Sequence, residues 1–373
     1  MSIVLFLIIL AVLVLSHEFG HFIVAKLFGV RVDEFGFGFP PRIFGKKWGE
    51  TLYSLNALPF GGFVKIFGED PDAGEKEPSN VKEQEVELKR NFSSKPRYIQ
   101  SAIILAGVVF NLLLAWGLFS IGFMTGMPVP IGSAPAGGEF TNAKVYITGV
   151  SESSPAAKAG IKAGDNILYV SSDGSKTDNP QIEFVQNFIN SNENTPIKIG
   201  VKRGAETLEL GVMPKSGIIE GKAAIGISMD MVGIVSLPIH RAVYESLKMT
   251  LGLFSATIEG LAHLFVSIFS GGASMSAVSG PIGIIGIVKD AYGFGFIYLL
   301  GLTALISINL AVINIIPFPA LDGGRFLFIL IEAIRRKPLG QNFVNAANAT
   351  GFFVIIALML FITYHDLLKL AGV

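Results

Sequence analysis

Two histidines and a glutamate lie inside an apolar stretch near the start of the chain. The segment LSHEFGHF places His17 and His21 four residues apart, with Glu18 next to the first of them. On a helix, residues four apart share one face, so both imidazoles can reach one metal ion, and Glu18 is close enough to act on a ligand held by that ion. This HExxH spacing is typical of hydrolytic zinc sites.

The surroundings of these residues favour a metal site. Apolar residues run from Met1 to Val30 on both sides of the cluster, as in a membrane-spanning helix. Each uncompensated ionisable group inside lipid costs roughly 2.5–3.5 kcal/mol on insertion scales, so three together indicate a compensating partner such as a metal ion. The alternative is a polar patch whose groups are hydrogen-bonded by neighbouring helices.

A third ligand must come from another segment, because a hydrolytic zinc site takes three protein ligands and leaves the fourth position to water. The chain contains no cysteine, so this ligand is expected to be a carboxylate. Asp322 in NIIPFPALDGGR is the candidate. Pro317 and Pro319 interrupt a regular helix and the following Gly-Gly pair permits a tight turn, which predicts Asp322 on unwound backbone. The alternative is an aspartate that caps the next helix.

Composition indicates the kind of molecule that must position these residues. The hydrophobic fraction is 51%, the charged fraction is 16% and the mean hydropathy is +0.57, which together are typical of an integral membrane protein. Lys+Arg and Asp+Glu balance at 29 each, so we expect no nucleic-acid partner. The first apolar run lacks a basic start and a small-residue cleavage pattern, which predicts a retained span and not a signal peptide.

Four segments together resemble a known family. HEFGH in the first span, SPAAKAGIKAGDNIL in the middle of the chain, SGPIGI, and NIIPFPALDGG near the end are similar to the site-2 protease family of intramembrane zinc metalloproteases. The bacterial branch that includes regulator of sigma-E protease is the most similar. The resemblance implies hydrolysis of peptide bonds within transmembrane segments of membrane proteins, such as anti-sigma factors or signal-peptide remnants.

The resemblance also implies roles for individual residues. His17, His21 and Asp322 would be the ligands of Zn²⁺, Glu18 would activate the water, and Asn314 would be a polar group close to the reacting carbonyl. One departure concerns the second span, LAGVVFNLLLA, where Val108 replaces a proline that the family often has. We therefore expect Asn111 in this span to make a helix-to-helix hydrogen bond and not to act in catalysis.

The expected fold is an α-helical polytopic membrane protein with about four transmembrane helices, a membrane-associated β-hairpin region and an inserted α/β PDZ-like domain. The predicted segments are a first transmembrane helix (1–30), a β-hairpin and charged cytoplasmic loop (31–97), a second transmembrane helix (98–125), a PDZ-like extracytoplasmic domain (143–228), an interfacial amphipathic helix with a Gly-rich segment (238–290), a third transmembrane helix (291–325) and a fourth (350–371).

Two regions are candidates for binding substrate. PDZ domains bind extended chain ends by strand addition, so the PDZ-like domain is expected to engage transmembrane protein substrates; the alternative is a spacer that limits access by bulk. The hairpin TLYSLNALPFGGFVKI offers a second edge, because a transmembrane helix must open before its amides become available. Its predicted substrate-binding residues are Gly61, Gly62, Phe63 and Val64, and the alternative is a purely structural hairpin at the membrane surface.

The need for the ligands to meet predicts a topology in the bacterial cytoplasmic (inner) membrane. With the N-terminus outside, His17 and His21 lie in the inner half of the first span, and the second span delivers the PDZ-like domain to the outside. The helix within 238–290 should then lie in the interface, in contact with lipid, without crossing. Basic residues border the spans on the proposed inner side, as the positive-inside rule expects: Arg42, Lys46, Lys47, Lys95, Arg97, Arg325, Arg335, Arg336 and Lys337.

Two other function classes fit parts of this sequence. A PDZ-containing membrane scaffold would need no metal and no catalysis. An ion-coupled transporter would use the intramembrane histidines and carboxylates as an ion path, but it should show interrupted helices in two similar halves, and no such symmetry is visible.

Overall fold

The chain divides into two units, which are described separately. The computed structural model describes all residues except 70–86, 134, 136–138, 152, 173, 205, 220, 271–279 and 372–373. Unit 1 comprises Met1–Leu118, Leu247–Val288 and Leu302–Val373, and unit 2 comprises Phe119–Ser246 and Lys289–Gly301. Most of the predicted charged loop lies outside the described residues.

Long apolar helices dominate the first unit and continue in part into the second. Their bounds are α1 (Ser2–Leu27), α2 (Arg97–Thr125), α5 (Ile239–Phe269), α6 (Pro281–Phe294), α7 (Phe296–Ile315), α8 (Asp322–Arg335) and α9 (Gln341–Ala371). Three predicted segments differ from these bounds. The third transmembrane helix, predicted at 291–325, is α7 (Phe296–Ile315), and a separate helix begins at Asp322. The Gly-rich segment forms the helix α6, and the last apolar helix begins at Gln341, nine residues before the predicted start at 350.

Five helices in the described part of the chain are long and apolar enough to cross a membrane: α1, α2, α5, α7 and α9. The protein is therefore an integral membrane protein. The fifth candidate is α5, the helix that we predicted to lie in the interface. Oγ1 of Thr257, three residues past the middle of α5, lies 3.5 Å from Oδ1 of Asn309, so this part of α5 packs against the candidate span α7. The interfacial placement stays a prediction.

The stretch TLYSLNALPFGGFVKI, predicted to be a hairpin around Gly61 and Gly62, forms a single strand instead. A hairpin is present within 31–97, with its turn at Gly49 and Glu50. It consists of β1 (Val32–Trp48) and β2 (Thr51–Ile66), paired antiparallel. Each strand has two segments, and the inner segment of each pairs with both segments of the other strand. The four segments therefore lie side by side in the order 42–48, 51–56, 32–37 and 62–66. Among the described residues, no strand pairs with the outer edge of segment 62–66. A free edge therefore lies where the sequence predicted it.

A small apolar core attaches this sheet to the helices. Ala25 of α1, Val32 of β1, Ile66 of β2 and Ile103 of α2 are buried together with Ile329 of α8. The hairpin is consequently held against the same helices that carry the predicted metal ligands.

The middle of the chain forms the β-rich domain of unit 2. Its strands are β3 (Met127–Pro130), β4 (Glu139–Val150), β5 (Asn166–Ser172), β6 (Ser175–Asp178), β7 (Ile197–Arg203), β8 (Glu206–Val212), β9 (Lys215–Ile219), β10 (Lys222–Ala224) and β11 (Ile227–Ser236), with the helices α3 (Pro155–Lys158) and α4 (Ile182–Ser191). The main sheet has the order β3-β11-β4-β5-β7-β8, with β6 beside β5, and β9 pairs with β10.

The core of this domain lies between the main sheet and α4. Val145, Ile167, Ile199 and Val201 from the strands are buried with Val185 from the helix. The alternation of buried and exposed residues in β7 (Ile197–Arg203) is the period-two pattern of a strand with one covered face. An α/β domain is therefore inserted between the helices, as predicted.

Candidate metal centre

The three predicted ligands converge on one point. Nε2 of His17 lies 3.2 Å from Nε2 of His21, and Oδ2 of Asp322 lies 3.0 Å from the first nitrogen and 3.4 Å from the second. Ligands held at about 2.05 Å by a tetrahedral zinc ion would be about 3.3 Å apart. The spacing of the three atoms therefore fits Zn²⁺.

One hydrogen bond orients the ring of His21 so that its Nε2 can serve as a metal ligand. Nδ1 of His21 lies 2.8 Å from the backbone oxygen of Ile103, which can only accept, so Nδ1 carries the proton. In the neutral ring, Nε2 then presents a lone pair to the cluster. Oδ2 of Asp322 is buried and accepts no hydrogen bond. Lone pairs that face one another in a buried place are stabilised by a cation between them.

Asn111 of α2 completes the surroundings of His17. Its Nδ2 lies 3.3 Å from Nδ1 of His17, while its Oδ1 is buried without a hydrogen-bond partner. The two ends of a side-chain amide are nearly identical in shape, and turning the amide over would let Oδ1 accept a proton from Nδ1 of His17. That arrangement satisfies both groups and leaves Nε2 of His17 free for a metal. The sequence predicted a helix-to-helix hydrogen bond for Asn111, and the structure shows His17 of α1 as its partner.

A tight turn between α7 and α8 delivers Asp322. A Cβ on Gly323 would lie 2.2 Å from the backbone oxygen of Ile316, and one on Gly324 would lie 2.1 Å from that of Phe318. Only glycines fit this turn. Asp322 is the first residue of α8, so the predicted placement on unwound backbone is wrong by one position, because the Gly-Gly pair is itself helical. The side chain does not cap the helix, so the alternative that we considered is not observed.

Close contact between α1 and α2 brings the two histidines to this point. A Cβ on Gly20 would lie 2.5 Å from the backbone oxygen of Ala106, and one on Gly107 would lie 2.4 Å from Nε2 of His21. The sequence analysis did not identify Gly107 as a site residue, although Gly107 lies in the segment LAGVVFN that it considered. A hydrogen bond also joins the two helices, because the hydroxyl of Ser16 in α1 donates to the backbone oxygen of Phe110 in α2 at 3.3 Å.

The remaining predicted site residues lie around the cluster. Nδ2 of Asn314 is 3.5 Å from Nε2 of His17, and Glu18 is half-buried on α1. A Cβ on Gly62 would lie 3.4 Å from Cγ of Glu18, so the free edge of the hairpin passes directly beside this glutamate. Gly61 and Phe63 flank Gly62 in the same strand. The structure therefore brings the predicted metal, acid-base and edge-strand residues into one place.

Comparison with known proteins extends over nearly the whole chain. The profile of peptidase family M50 matches residues 5–358. A Clostridium perfringens protein named as a zinc metalloprotease is 34% identical, and 99% of both chains is covered. The regulator of sigma-W protease RasP of Bacillus subtilis is 28% identical, with 99% of both chains covered. The chloroplastic membrane metalloprotease ARASP of Arabidopsis thaliana is 30% identical over 97% of this chain and 78% of its own.

Among solved structures, the PDZ domain of an SdrC-like protein from Listeria monocytogenes is 26% identical to part of this chain. The likeness covers 24% of this chain and 92% of that domain, with a TM-score of 0.21.

Proposed function

Because this chain belongs to peptidase family M50, we propose that His17, His21 and Asp322 form the catalytic centre of a protease that cuts other membrane proteins within their transmembrane segments. The protein is a zinc-dependent metallo-endopeptidase, and the predicted family, enzyme class and cofactor are confirmed. The convergence of three potential ligand atoms at 3.0–3.4 Å is the observation that supports the assignment of the centre. Neither a scaffold nor a transporter receives support from the relatives.

Glu18 is proposed as the proton carrier of the reaction. Zinc bound by the three ligands would supply a Lewis acid that makes its water more acidic and polarises the scissile carbonyl. Glu18 follows His17 in the chain and does not belong to the three converging ligands, so its carboxylate can accept a proton from the water and return it to the leaving amine.

Asn314 is proposed to bind the carbonyl oxygen of the substrate. Its amide lies beside the ligand atom of His17, at the edge of the cluster. An amide N–H aimed at a developing negative charge stabilises the transition state, and removal of one such donor typically costs about 10²–10³ in kcat. This role requires Nδ2 of Asn314, and not its side-chain oxygen, to point toward the metal centre.

The free edge of the hairpin is proposed as the substrate clamp. A transmembrane segment must be unwound before cleavage, and its exposed amides then need partners inside the bilayer. Segment 62–66 offers an unpaired strand edge, and Gly62 lies beside Glu18. A substrate strand added here would have its backbone next to the proton carrier. Gly61, Gly62, Phe63 and Val64 are its proposed contact residues.

The placement of the domains across the membrane is also a proposal. Basic residues near the ends of α1 and α2, namely Lys26, Lys95 and Arg97, support a cytoplasmic location of those ends in a bacterial inner membrane. The inserted domain would then lie outside. Its strand β11 pairs with β3 only over Val232–Val235, so among the described residues no strand covers this edge at residues 227–231, where a substrate chain could add as in a PDZ domain.

One experiment tests the catalytic assignment. Glu18→Gln should abolish cleavage of a membrane-embedded model substrate while the purified protein keeps its zinc, because Glu18 carries the proton and not the metal. His17→Ala and Asp322→Ala should lose both zinc and cleavage. Near-normal turnover in the Glu18→Gln variant would show that the mechanism is wrong, and full zinc content in Asp322→Ala would remove Asp322 from the metal site.

A further inference from the structure

We propose that the turn of the hairpin carries a binding site for the phosphate headgroup of an anionic phospholipid. Its residues are Lys46, Lys47 and Trp48 at the end of β1 and Tyr53 at the start of β2, which together line a cavity of about 330 Å³. This anionic-lipid site is separate from the metal centre, and it does not depend on catalysis.

The site lies beside the last two turns of α1, which indicates a position at the membrane surface. Glu50, in the turn between Trp48 and Thr51, forms ion pairs with Lys26 in the last turn of α1 and with Arg90. The ring of Tyr53 packs edge-on against Phe22 of α1, with 6.0 Å between centroids. The candidate span α1 ends at Leu27. Residues attached to the last two turns of a span lie where lipid headgroups lie.

The chemistry of the site fits a phosphate diester. Lys46 and Lys47 are exposed, and neither has an ion-pair partner in the described part of the chain, so two positive charges are left for a ligand. Lys46 pairs directly across the strands with Tyr53, which puts their side chains on one face of the sheet, while the side chain of Lys47 starts from the other face and also lines the cavity. Trp48 is 80% exposed and lies 6.3 Å from the ring of Tyr53. Tryptophan, tyrosine and lysine are the residues that anchor proteins at headgroup level.

An apolar path for acyl chains continues from the same edge. Segment 42–48 is the outer segment of the sheet, and Ile43 and Phe44 on it are 68% and 61% exposed. The sheet follows α1 deeper into the bilayer, since Gly62 contacts Val14 and Glu18. Phe44 shares the face of Lys46 and Trp48, so a lipid with its phosphate at this cavity could lay an acyl chain along Phe44.

Charge complementarity favours an anionic lipid over other occupants of this surface. The whole chain has equal numbers of acidic and basic residues, but the site carries two unpaired lysines and Arg42 lies on the same segment. A second copy of this surface would be repelled by the same charges. Each lysine near an anionic membrane surface contributes about a fivefold increase in binding, and both together about thirtyfold.

Tryptophan fluorescence provides the test, because the chain has only two tryptophans. In a Trp116→Phe variant, Trp48 is the single reporter. The full-length protein is placed in vesicles of equal parts phosphatidylglycerol and phosphatidylcholine, with bromine on the chains of only one lipid. We expect stronger quenching when phosphatidylglycerol carries the bromine, and loss of the difference in Lys46→Gln/Lys47→Gln. The preference should survive in Lys46→Arg/Lys47→Arg.

Controls distinguish this site from a general attraction of the protein to anionic lipid. Lys202→Gln/Lys222→Gln removes two exposed lysines of the inserted domain and should leave the preference of Trp48 unchanged. The Trp48→Phe variant, which reports from Trp116, should show no preference. Equal quenching by both lipids, a preference that persists in Lys46→Gln/Lys47→Gln, or emission of Trp48 that depends on protein concentration would each overturn the proposal, the last in favour of a second copy.

Discussion

Gly107 of α2 faces the two imidazoles of the metal centre with no room for a side chain. A Cβ at this position would lie 2.4 Å from Nε2 of His21, 2.5 Å from Cε1 of His17 and 2.7 Å from Nδ1 of His17. Ordinary van der Waals contact begins at about 3.4 Å. Gly107→Ala should therefore displace at least one ring by about 1 Å or separate α2 from α1.

A displacement of this size is large for a metal site. Distances from zinc to its ligands are tolerated within about 0.2 Å, so a ring that moves by 1 Å no longer binds. Misplacement of a reacting group by 1 Å also costs about 10²-fold in rate. We expect Gly107→Ala to bind zinc at least 10²-fold more weakly and to lose cleavage in proportion.

The assay is zinc content after dialysis against a graded chelator, measured beside cleavage of a transmembrane model substrate. Gly117→Ala is the matched control on the same helix, because a Cβ there meets nothing within 4 Å. Alanine favours a helix over glycine by about 1 kcal/mol, so a general effect on α2 would stabilise both variants. If Gly107→Ala binds zinc as tightly as Gly117→Ala does, the described approach of α2 to the histidines is wrong.

Three further predictions follow from the same geometry. Asn111→Leu should weaken zinc binding by about 10–100-fold, because the hydrogen bond from Asn111 orients the metal ligand His17. If the effect is no larger than that of Asn309→Leu, Asn111 contributes only to helix packing. Val64→Pro should slow cleavage of a membrane-embedded substrate while zinc content stays unchanged, since proline disrupts a strand edge; unchanged turnover would exclude this edge as the clamp. Thr257→Cys tests the predicted interfacial placement of α5: a helix in the interface should be labelled from outside by an impermeant thiol reagent in intact cells, whereas resistance in intact cells and in opened membranes would place Thr257 inside the bilayer.

Much of the chemistry of the site could be predicted from local patterns. Two histidines four residues apart on an apolar helix share a face whatever the rest of the fold does, and a Pro-rich break before Gly-Gly marks a turn. The predicted ligands His17, His21 and Asp322 accordingly lie together. Strand formation in this region was predictable for a similar reason, because alternation is a short-range signal. The position of the turn was not, because it lies at Gly49 and Glu50, whereas Gly61 and Gly62 lie within β2. The identities of the partners across the sheet were not, since β1 and β2 each change partner partway.

Sequence alone determined that this is a membrane protein, that its first span carries a hydrolytic metal motif and that its relatives are zinc proteases. Each of these depends on composition or on residues close together in the chain. Tertiary structure decided what lies behind and beside the motif: Asn111 at His17, Gly107 against both rings, Gly62 beside Glu18, and Thr257 next to α7. These contacts join residues 44 to 94 positions apart, and packing of one helix against another sets them. Sequence periodicity shows which face of a helix is apolar, but only the tertiary structure shows which residues of other elements pack against that face.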